Sequence, residues 1–288
     1  MSVLADIVRS SEAPPVFVTG GPARTPFDGP GGPGWANPAF AVHHMRSWAS
    51  SLALGWMPPL APPEDERAKR AEEVWERVLG GLAESDEPFV AQMWGPLTLA
   101  GQVLGLHALL EYVARDAARV DHAVAEVMPG ALARVGTALG QHAAVVLVAE
   151  PMATVLGPED SRRLLLAPMR QLMAAVHAGG ADGLLHASGR VKHALPVLGE
   201  TGARGFSITG GPSLVEAFEL LPSGTVVLGN LASMRLLEWD ERRLAEEARA
   251  MARDARGRLW IATPGSAVPS ATPVERLAAF VDAARSAC

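Results

Sequence analysis

Short runs of apolar residues alternate with longer amphipathic segments from one end of the chain to the other. Most of these runs are apolar at every position instead of at every second one, which is typical of strands buried on both faces of a parallel sheet. The runs that predict strands are Val16–Thr19, Leu52–Trp56, Phe89–Trp94, Val145–Ala149, Gly183–His186, Gly205–Ile208, Val226–Gly229 and Leu259–Ala262. The pattern therefore predicts a β–α unit repeated along the whole chain.

The segments between these runs place apolar residues three and four positions apart, the spacing of a helix with one buried face. We expect helices over Glu64–Glu84 and Ser213–Leu221, and another helix that begins after Asp240 as its N-terminal cap. Near the carboxyl end, Thr272 and Glu275 have the spacing of a capping box, which predicts a helix that starts after Thr272.

Two other architectures compete with a closed barrel: an open doubly wound sheet and two smaller domains. No G-x-G-x-x-G fingerprint directly joins a predicted strand to a helix, and there is no Walker A sequence, which disfavours the doubly wound sheet. The Gly- and Pro-rich segment Gly20–Gly34 directly follows the first predicted strand, as a loop over a site would, and no linker appears after it. We therefore predict one α/β domain over residues 1–288, a (β/α)8 TIM barrel with a Gly/Pro-rich first βα loop.

Composition narrows the class of protein and its partners. The chain is 49% hydrophobic and 19% charged, which provides enough apolar area for a large core. A net charge of −6 gives no basic surface for nucleic acid or for an anionic membrane, so we expect neither as a partner. The one cysteine, Cys288, cannot form an internal disulfide, and the N-terminal residues lack the apolar core of a signal peptide, so we expect a cytoplasmic location.

One uncharged stretch, Pro88–Leu110, is long enough to span a bilayer. Its glycine and proline residues divide it into a strand, a turn and the start of a helix. The same apolar density is expected of an α/β core, so we do not predict a membrane span.

Polar side chains stand at or just after the carboxyl ends of the predicted strands, where barrel enzymes carry their catalytic groups. The candidates are Thr19, Arg24, Trp56, Gln92, Trp94, Glu150, His186, Ser188, Arg190, Ser207, Thr209, Asn230, Thr263 and Ser266. An unpaired polar group at a buried strand end costs free energy, so this ring of polar residues indicates a site.

Two residues of the ring are candidates for proton transfer. Glu150 follows an apolar strand, where burial would raise its pKa, and it acts either as a general acid or base or as a cap for nearby backbone. His186 is either a proton carrier or an ordinary core histidine. Arg24 has the guanidinium group suited to binding a carboxylate.

Other motifs of known chemistry are absent. The chain has no H-E-x-x-H sequence, no C-x-x-C sequence and no nucleophile elbow, so zinc protease and serine hydrolase activities have no support. The remaining histidines, His193 among them, lie on predicted helices or their ends and are expected to be structural.

Several segments, taken in order, resemble one known family. They are PVFVTGGPARTPF (Pro15–Phe27), GPLTLAGQVLG (Gly95–Gly105), AEPMATVLGPED (Ala149–Asp160), LLHASG (Leu184–Gly189), VVLGNL (Val226–Leu231) and IATPGSAVPSATPVERLAAFVDA (Ile261–Ala283). The chain resembles the superfamily that contains uroporphyrinogen decarboxylase and the corrinoid-linked coenzyme M methyltransferases. The resemblance implies a (β/α)8 barrel and a homodimer.

The residues that define the activities of that superfamily are mostly replaced here. Arg24 matches one of the two arginines that hold substrate carboxylates in the decarboxylase, whereas the tyrosine position falls at Gly101 and the histidine position at Ser266. The methyltransferase branch binds zinc through one histidine and two cysteines, and this chain keeps His186 but has Ser188 and Ser266 at the cysteine positions. Serine hydroxyls are poor zinc ligands, so we expect no metal and no other cofactor.

Three functions follow from the resemblance. The first is a metal-free decarboxylase or related lyase acting on a carboxylated small molecule or tetrapyrrole-like compound, with Glu150 or His186 moving a proton. The second is a methyl or other group transferase, and the third is a binding protein for a tetrapyrrole or corrinoid. In each, the small molecule is expected to contact Arg24, Trp94, Ser188, Arg190, Thr209, Asn230 and Ser266.

Overall fold

A computed structural model describes residues 53–54, 89–264, 268–269 and 271–287 of the chain. Its strands are β1 (Ala53–Leu54), β2 (Phe89–Trp94), β3 (Val145–Ala149), β4 (Asp182–Ser188), β5 (Gly205–Thr209), β6 (Val226–Asn230) and β7 (Trp260–Thr263). Its α-helices are α1 (Pro96–Leu104), α2 (Leu106–Arg115), α3 (Ala117–Gly140), α4 (Pro158–Ala178), α5 (Leu195–Gly199), α6 (Leu214–Leu220), α7 (Arg235–Glu238), α8 (Glu241–Asp254) and α9 (Val274–Arg285), and a 3₁₀ helix covers Pro151–Thr154.

The strands form one parallel sheet in which each strand pairs with the next one along the chain. Parallel neighbours that follow the order of the sequence, with helices in every connection from β2 onward, are the wall of a (β/α)8 barrel. The sheet does not close within the described residues, and the predicted first strand, Val16–Thr19, lies outside them. The fold class is therefore the α/β class that the apolar runs predicted.

The predicted strand boundaries agree with the structure to within two residues wherever the structure describes the run in full. For β2 and β3 both ends agree. In the sequence, Pro88 and Gly95 bound the run of β2, and Glu150 follows the run of β3. All five residues of β3 are buried, as expected for a strand covered on both faces. The predicted helix Glu64–Glu84 lies outside the described residues, and so do both ends of the predicted strand Leu52–Trp56.

Two predicted helix starts had different outcomes. Asp240 caps α8, since its side chain accepts a hydrogen bond from the backbone N–H of Arg243 at 2.8 Å. The capping box at Thr272 was wrong: α9 begins one residue later than expected, at Val274. The Thr272 hydroxyl is buried and has no hydrogen-bond partner among the residues that the structure describes. A capping box does form at Ser213, the residue before α6. The Ser213 side chain accepts a hydrogen bond from the backbone N–H of Glu216, and the Glu216 side chain accepts one from the backbone N–H of Ser213.

No single helix among the described residues is long and apolar enough to cross a membrane. The helices Pro96–Leu104 and His107–Arg115 reach that length only when taken together, and a bend of 107° separates them. The uncharged stretch noted in the sequence is thus divided between β2 and two short helices.

Candidate functional site

The register of the sheet brings the carboxyl ends of its strands to a common level. Trp94 pairs with Ala149, Ala149 with His186, and His186 with Ser207. One step further along, Ser188 pairs with Thr209. The polar residues predicted from separate strand ends therefore lie next to one another along one edge of the sheet, which is where barrel enzymes bind substrates.

The side chain of His186 faces away from the helices that surround the sheet. A Cβ atom added to Gly183, three residues earlier on β4, would overlap the Met173 sulfur on α4, so Gly183 faces the helix layer. Because side chains alternate along a strand, His186 belongs to the opposite face. Its Nδ1 atom lies 2.9 Å from the hydroxyl oxygen of Ser207, which shows that the two side chains share that face.

The environment of His186 keeps its imidazole neutral near pH 7. Burial lowers the pKa of His186 to about 4, and a hydrogen bond to the backbone of Ser207 opposes this shift only in part. Ser207 itself is 4% exposed. A neutral imidazole with one nitrogen already engaged can offer only its second nitrogen, Nε2, to a bound molecule.

Thr209 lies two residues after Ser207 on β5, and its side chain is therefore on the same face. Its side chain is 8% exposed, and its hydroxyl has no hydrogen-bond partner in the described part of the chain. A buried hydroxyl without a partner costs free energy, which makes Thr209 a natural contact for a polar ligand.

Glu150 is buried, being 1% exposed, and its carboxylate caps the N-terminus of α1. One oxygen accepts hydrogen bonds from the backbone N–H groups of Leu97 at 3.0 Å and Thr98 at 3.4 Å, and the other accepts from the Thr98 hydroxyl. These are the N–H groups that a helix leaves without internal partners, and the helix dipole favours a negative charge there. Of the two roles that the sequence left open for Glu150, this geometry describes the backbone cap.

Burial raises the pKa of Glu150 to about 7, and the hydrogen bonds from Thr98 and Leu97 offset part of that rise. The carboxylate also fixes the residue at position 95, because a Cβ atom there would overlap the Glu150 Oε2 atom. Gly95 is therefore needed where β2 turns into α1. The Glu150 backbone N–H donates to the His186 carbonyl at 2.9 Å, so the cap and the imidazole lie on adjoining strands.

The other predicted contact residues are placed as follows. Asn230 is half-buried, and its side-chain amide donates to the Pro212 carbonyl at 2.6 Å, which holds the loop after β5 against the end of β6. Trp94, the last residue of β2, is half-buried. Arg190 is exposed in the loop after β4. Arg24 and Ser266 lie outside the described residues, and of Ser188 the structure describes only its backbone, in β4.

A groove with a volume of about 730 Å³ lies beside these strand ends, and Arg190 is the predicted site residue that lines it. Its walls come from the loops after β4 and β5 and from the helices that follow, α5 and α6. His193, which the sequence indicated to be structural, also lines this groove.

Three contributors to the site carried no role in the sequence-based prediction. Ser207 was noted at a strand end but given no function, and the signal for it was available, since aligning the apolar runs of β4 and β5 places it opposite His186. Gly95 and Thr98 could not be found this way, because their partner Glu150 lies 52 residues from Thr98 in the chain.

A barrel wall with polar side chains gathered at the carboxyl ends of its strands defines an α/β-barrel protein with a strand-end site. The family model described as uroporphyrinogen decarboxylase (URO-D) matches residues 56–287, so the chain belongs to the uroporphyrinogen decarboxylase family. The resemblance read from the sequence segments is confirmed. A search of curated proteins finds no match to this chain.

Among the solved structures that share the fold are a methyltransferase and a methionine synthase. A methyltransferase from Methanosarcina mazei superimposes with a TM-score of 0.65 at 20% sequence identity, over 73% of this chain and 62% of that one. A B12-independent methionine synthase from Shewanella sp. W3-18-1, in complex with selenomethionine, gives a TM-score of 0.55 at 10% identity, over 72% of this chain and 65% of that one. The chain thus spans less than two thirds of the length of either protein.

The residues at the zinc positions implied by the methyltransferase resemblance do not fit a zinc ion. Zinc in such a site takes thiolate or imidazole ligands, and here the set is one imidazole, His186, with serines at positions 188 and 266. The Nδ1 atom of that imidazole is already engaged by Ser207. The chain's one cysteine is its last residue.

Proposed function

We propose that the protein is a metal-free decarboxylase or related carbon–carbon lyase that acts on a carboxylated small molecule, tetrapyrrole-like compounds included. The observation that carries the proposal is the contact of the His186 imidazole with Ser207, on the same face of the sheet as the Thr209 hydroxyl, which has no partner among the described residues. Membership of the uroporphyrinogen decarboxylase family supports this class of reaction without fixing the substrate.

In the reaction, the bond between the substrate carbon and its carboxylate breaks and the carboxylate leaves as CO2. The electron pair stays on the carbon and is delocalised into the substrate's own π system. A proton from solvent then takes the place of the lost group. Atoms and charge balance without any oxidant, reductant or metal.

His186 contacts the substrate as a hydrogen-bond donor in this proposal. The Ser207 hydroxyl is buried, and no hydrogen bond other than the one with His186 is found for it among the described residues. In the tautomer that we propose, the Ser207 hydroxyl donates its proton to Nδ1 and the neutral ring carries its own proton on Nε2. An Nε2–H group in a buried site stabilises the negative charge that develops as CO2 departs, without having to be charged itself.

Thr209 donates its free hydroxyl to the same substrate group or to its neighbour. Arg190 and Arg24 hold carboxylates that do not react, since a guanidinium forms a bidentate pair with a carboxylate. Glu150 is a positioning residue here. Both of its carboxylate oxygens accept hydrogen bonds from α1, so it holds the N-terminus of α1 against the carboxyl end of β3.

The test starts from binding. Carboxylated compounds that raise the melting temperature of the protein are incubated with it in D2O, and CO2 release and deuterium in the product are measured before and after dialysis against a chelator. We expect CO2 release that survives chelation, one deuteron in each product molecule, and a loss of about a hundredfold or more in His186→Gln.

The matched control is His122→Gln, an exposed histidine on α3, which should keep full activity. A bound compound that gives no CO2 would contradict the proposal, and so would a reaction that stops on chelation and returns with zinc. Transfer of a methyl group to an added thiol would identify a transferase instead.

A further inference from the structure

The loops after β4 and β5 run side by side and form one wall each of the groove that Arg190 lines. We call it the β4–β5 groove, lined by Arg190, Lys192, His193, Gly211, Glu216 and neighbouring residues. A side chain at Gly211 would overlap the Gly189 carbonyl, so the two loops approach as closely as glycine allows. Gly189 also has a φ of 81°, a conformation that favours glycine.

Both walls of the groove are held in place by contacts of their own residues. The Pro212 carbonyl accepts a hydrogen bond from the Asn230 side chain at 2.6 Å, which anchors the loop after β5. The Lys192 ammonium forms an ion pair with Glu216 at 2.5 Å, which ties the loop after β4 to α6. A ligand would therefore meet a preformed groove and would not have to order it.

The charges in the groove leave one cation uncompensated. Glu216 accepts from Lys192 and from the Ser213 backbone at 2.9 Å, and these hydrogen bonds, Lys192 first, lower the pKa of Glu216 to about 2. Its single negative charge is thus matched by Lys192. No hydrogen bond, ion pair or ring contact joins Arg190 to another described residue, so one formal positive charge remains.

His193 adds a second group without a partner. Its Nε2 atom is buried and makes no hydrogen bond within the described part of the chain. A buried ring nitrogen in this state costs free energy, and a hydrogen bond to a bound ligand would remove that cost. The Arg190 guanidinium is a donor, and Nε2 of His193 is a donor in the tautomer that carries its proton there, so one ligand with oxygen acceptors can bind both.

We propose that the β4–β5 groove is a binding site for an oxyanion, a carboxylate or a phosphate, held by Arg190 with a hydrogen bond from His193. The proposal rests on the proposed function in one respect, since Arg190 holds a substrate carboxylate there. Oxyanion binding is measured without turnover, so a failure of this proposal is distinguishable from a failure of the proposed reaction. A phosphate and a carboxylate offer the same pair of oxygen atoms to a guanidinium, so the experiment has to separate these two sources.

The test is a titration of the full-length protein at constant ionic strength, in separate arms with inorganic phosphate and with acetate. Calorimetry gives the affinity, and ¹⁵N–¹H NMR follows the amide signals of Gly210 and Gly211. We expect saturable binding in at least one arm, with shifts confined to these loops. Binding of phosphate alone, of acetate alone or of both defines the ligand as a phosphate, a carboxylate or any small oxyanion.

Variants assign the binding to the groove. Arg190→Gln should weaken binding by about tenfold or more, the value of one charge-assisted hydrogen bond, and Arg190→Lys should restore part of it. Arg249→Gln is the matched control, because Arg249 is exposed on α8 and, like Arg190, is joined to no other described residue. Absence of saturable binding in both arms would overturn the proposal, as would an equal loss in Arg190→Gln and Arg249→Gln.

Discussion

The imidazole Nδ1 of His186 lies 2.9 Å from the hydroxyl oxygen of Ser207, its register partner on the neighbouring strand. This contact joins β4 to β5 through side chains at the level where the sheet carries its polar residues. It fixes the ring from one side and leaves Nε2 as the nitrogen that can meet a substrate. The ring is thus oriented before any ligand binds, which is the condition for effective electrostatic stabilisation of a transition state.

Thr209→Val is expected to make the ligand-free protein more stable while lowering its activity. The substitution keeps the shape of the side chain and removes a buried hydroxyl that has no partner in the described part of the chain, so the free energy of unfolding should rise by about 1 kcal/mol. Urea denaturation followed by circular dichroism measures this change, and the binding of the best carboxylated compound is measured on the same variant.

The matched control is Thr98→Val, which removes a buried hydroxyl that does have a partner, the Glu150 carboxylate. That variant should lose about 1–3 kcal/mol. If Thr209→Val were destabilised as much as Thr98→Val, the Thr209 hydroxyl would have a partner within the protein and would not be free for a ligand.

Glu150 makes the stability of the fold depend on pH. The pKa of its carboxyl is raised from 4.5 to about 7 in the folded protein, so the folded state keeps a proton that the unfolded chain releases. The stabilisation is complete below about pH 4.5 and is lost as the pH rises to 7 and beyond. The expected loss from this group by pH 8 is on the order of 3 kcal/mol.

Glu150→Gln removes this titration while keeping an oxygen that can accept from the α1 backbone. Relative to the natural protein, the variant should therefore gain stability as the pH rises from 5 to 8. Denaturation curves at several pH values measure the difference, in which the other titrating groups cancel. Two parallel stability profiles would mean that Glu150 keeps its ordinary pKa in the folded protein.

Gly95→Ala should destabilise the protein by about 1–3 kcal/mol, because the new Cβ atom would overlap the Glu150 carboxylate and lie 2.7 Å from the Met169 methyl group. Gly136→Ala is the control, since Gly136 lies exposed on α3 with open space around its Cβ position. That change should be neutral or should stabilise the helix by up to about 1 kcal/mol. Equal urea midpoints for the two variants would contradict the close packing between β2, α1 and Glu150.

The sequence predicted the strands well because they are continuous apolar runs, and the run of β2 also has a clear stop at each end, at Pro88 and Gly95. The ends of the apolar runs also predicted where the site lies, because the carboxyl ends of neighbouring parallel strands meet at one edge of the sheet. The cap at Thr272 failed because a capping box is a local pattern, and the chain enters α9 one residue later than that pattern indicates.

The roles of individual site residues depend on contacts that sequence spacing does not reveal. Glu150 reads as a carboxylate after a buried strand, which is equally consistent with a catalytic group and with a helix cap. Its partner Thr98 is 52 residues away, and only the fold shows that α1 begins in front of it. The groove that contains Arg190 and His193 likewise depends on how closely two glycine-containing loops approach.

The most direct measurement of the central claim is ¹⁵N NMR of the histidine side chains across a pH titration, with the His186 signals assigned by comparison with His186→Gln. We predict that His186 is neutral at pH 7, with its proton on Nε2 and an acceptor signal at Nδ1, and that it stays neutral to about pH 5. Ser207→Ala should abolish the preference for this tautomer. A proton on Nδ1 at pH 7, or a titration of His186 near the ordinary value of 6.5, would contradict this prediction.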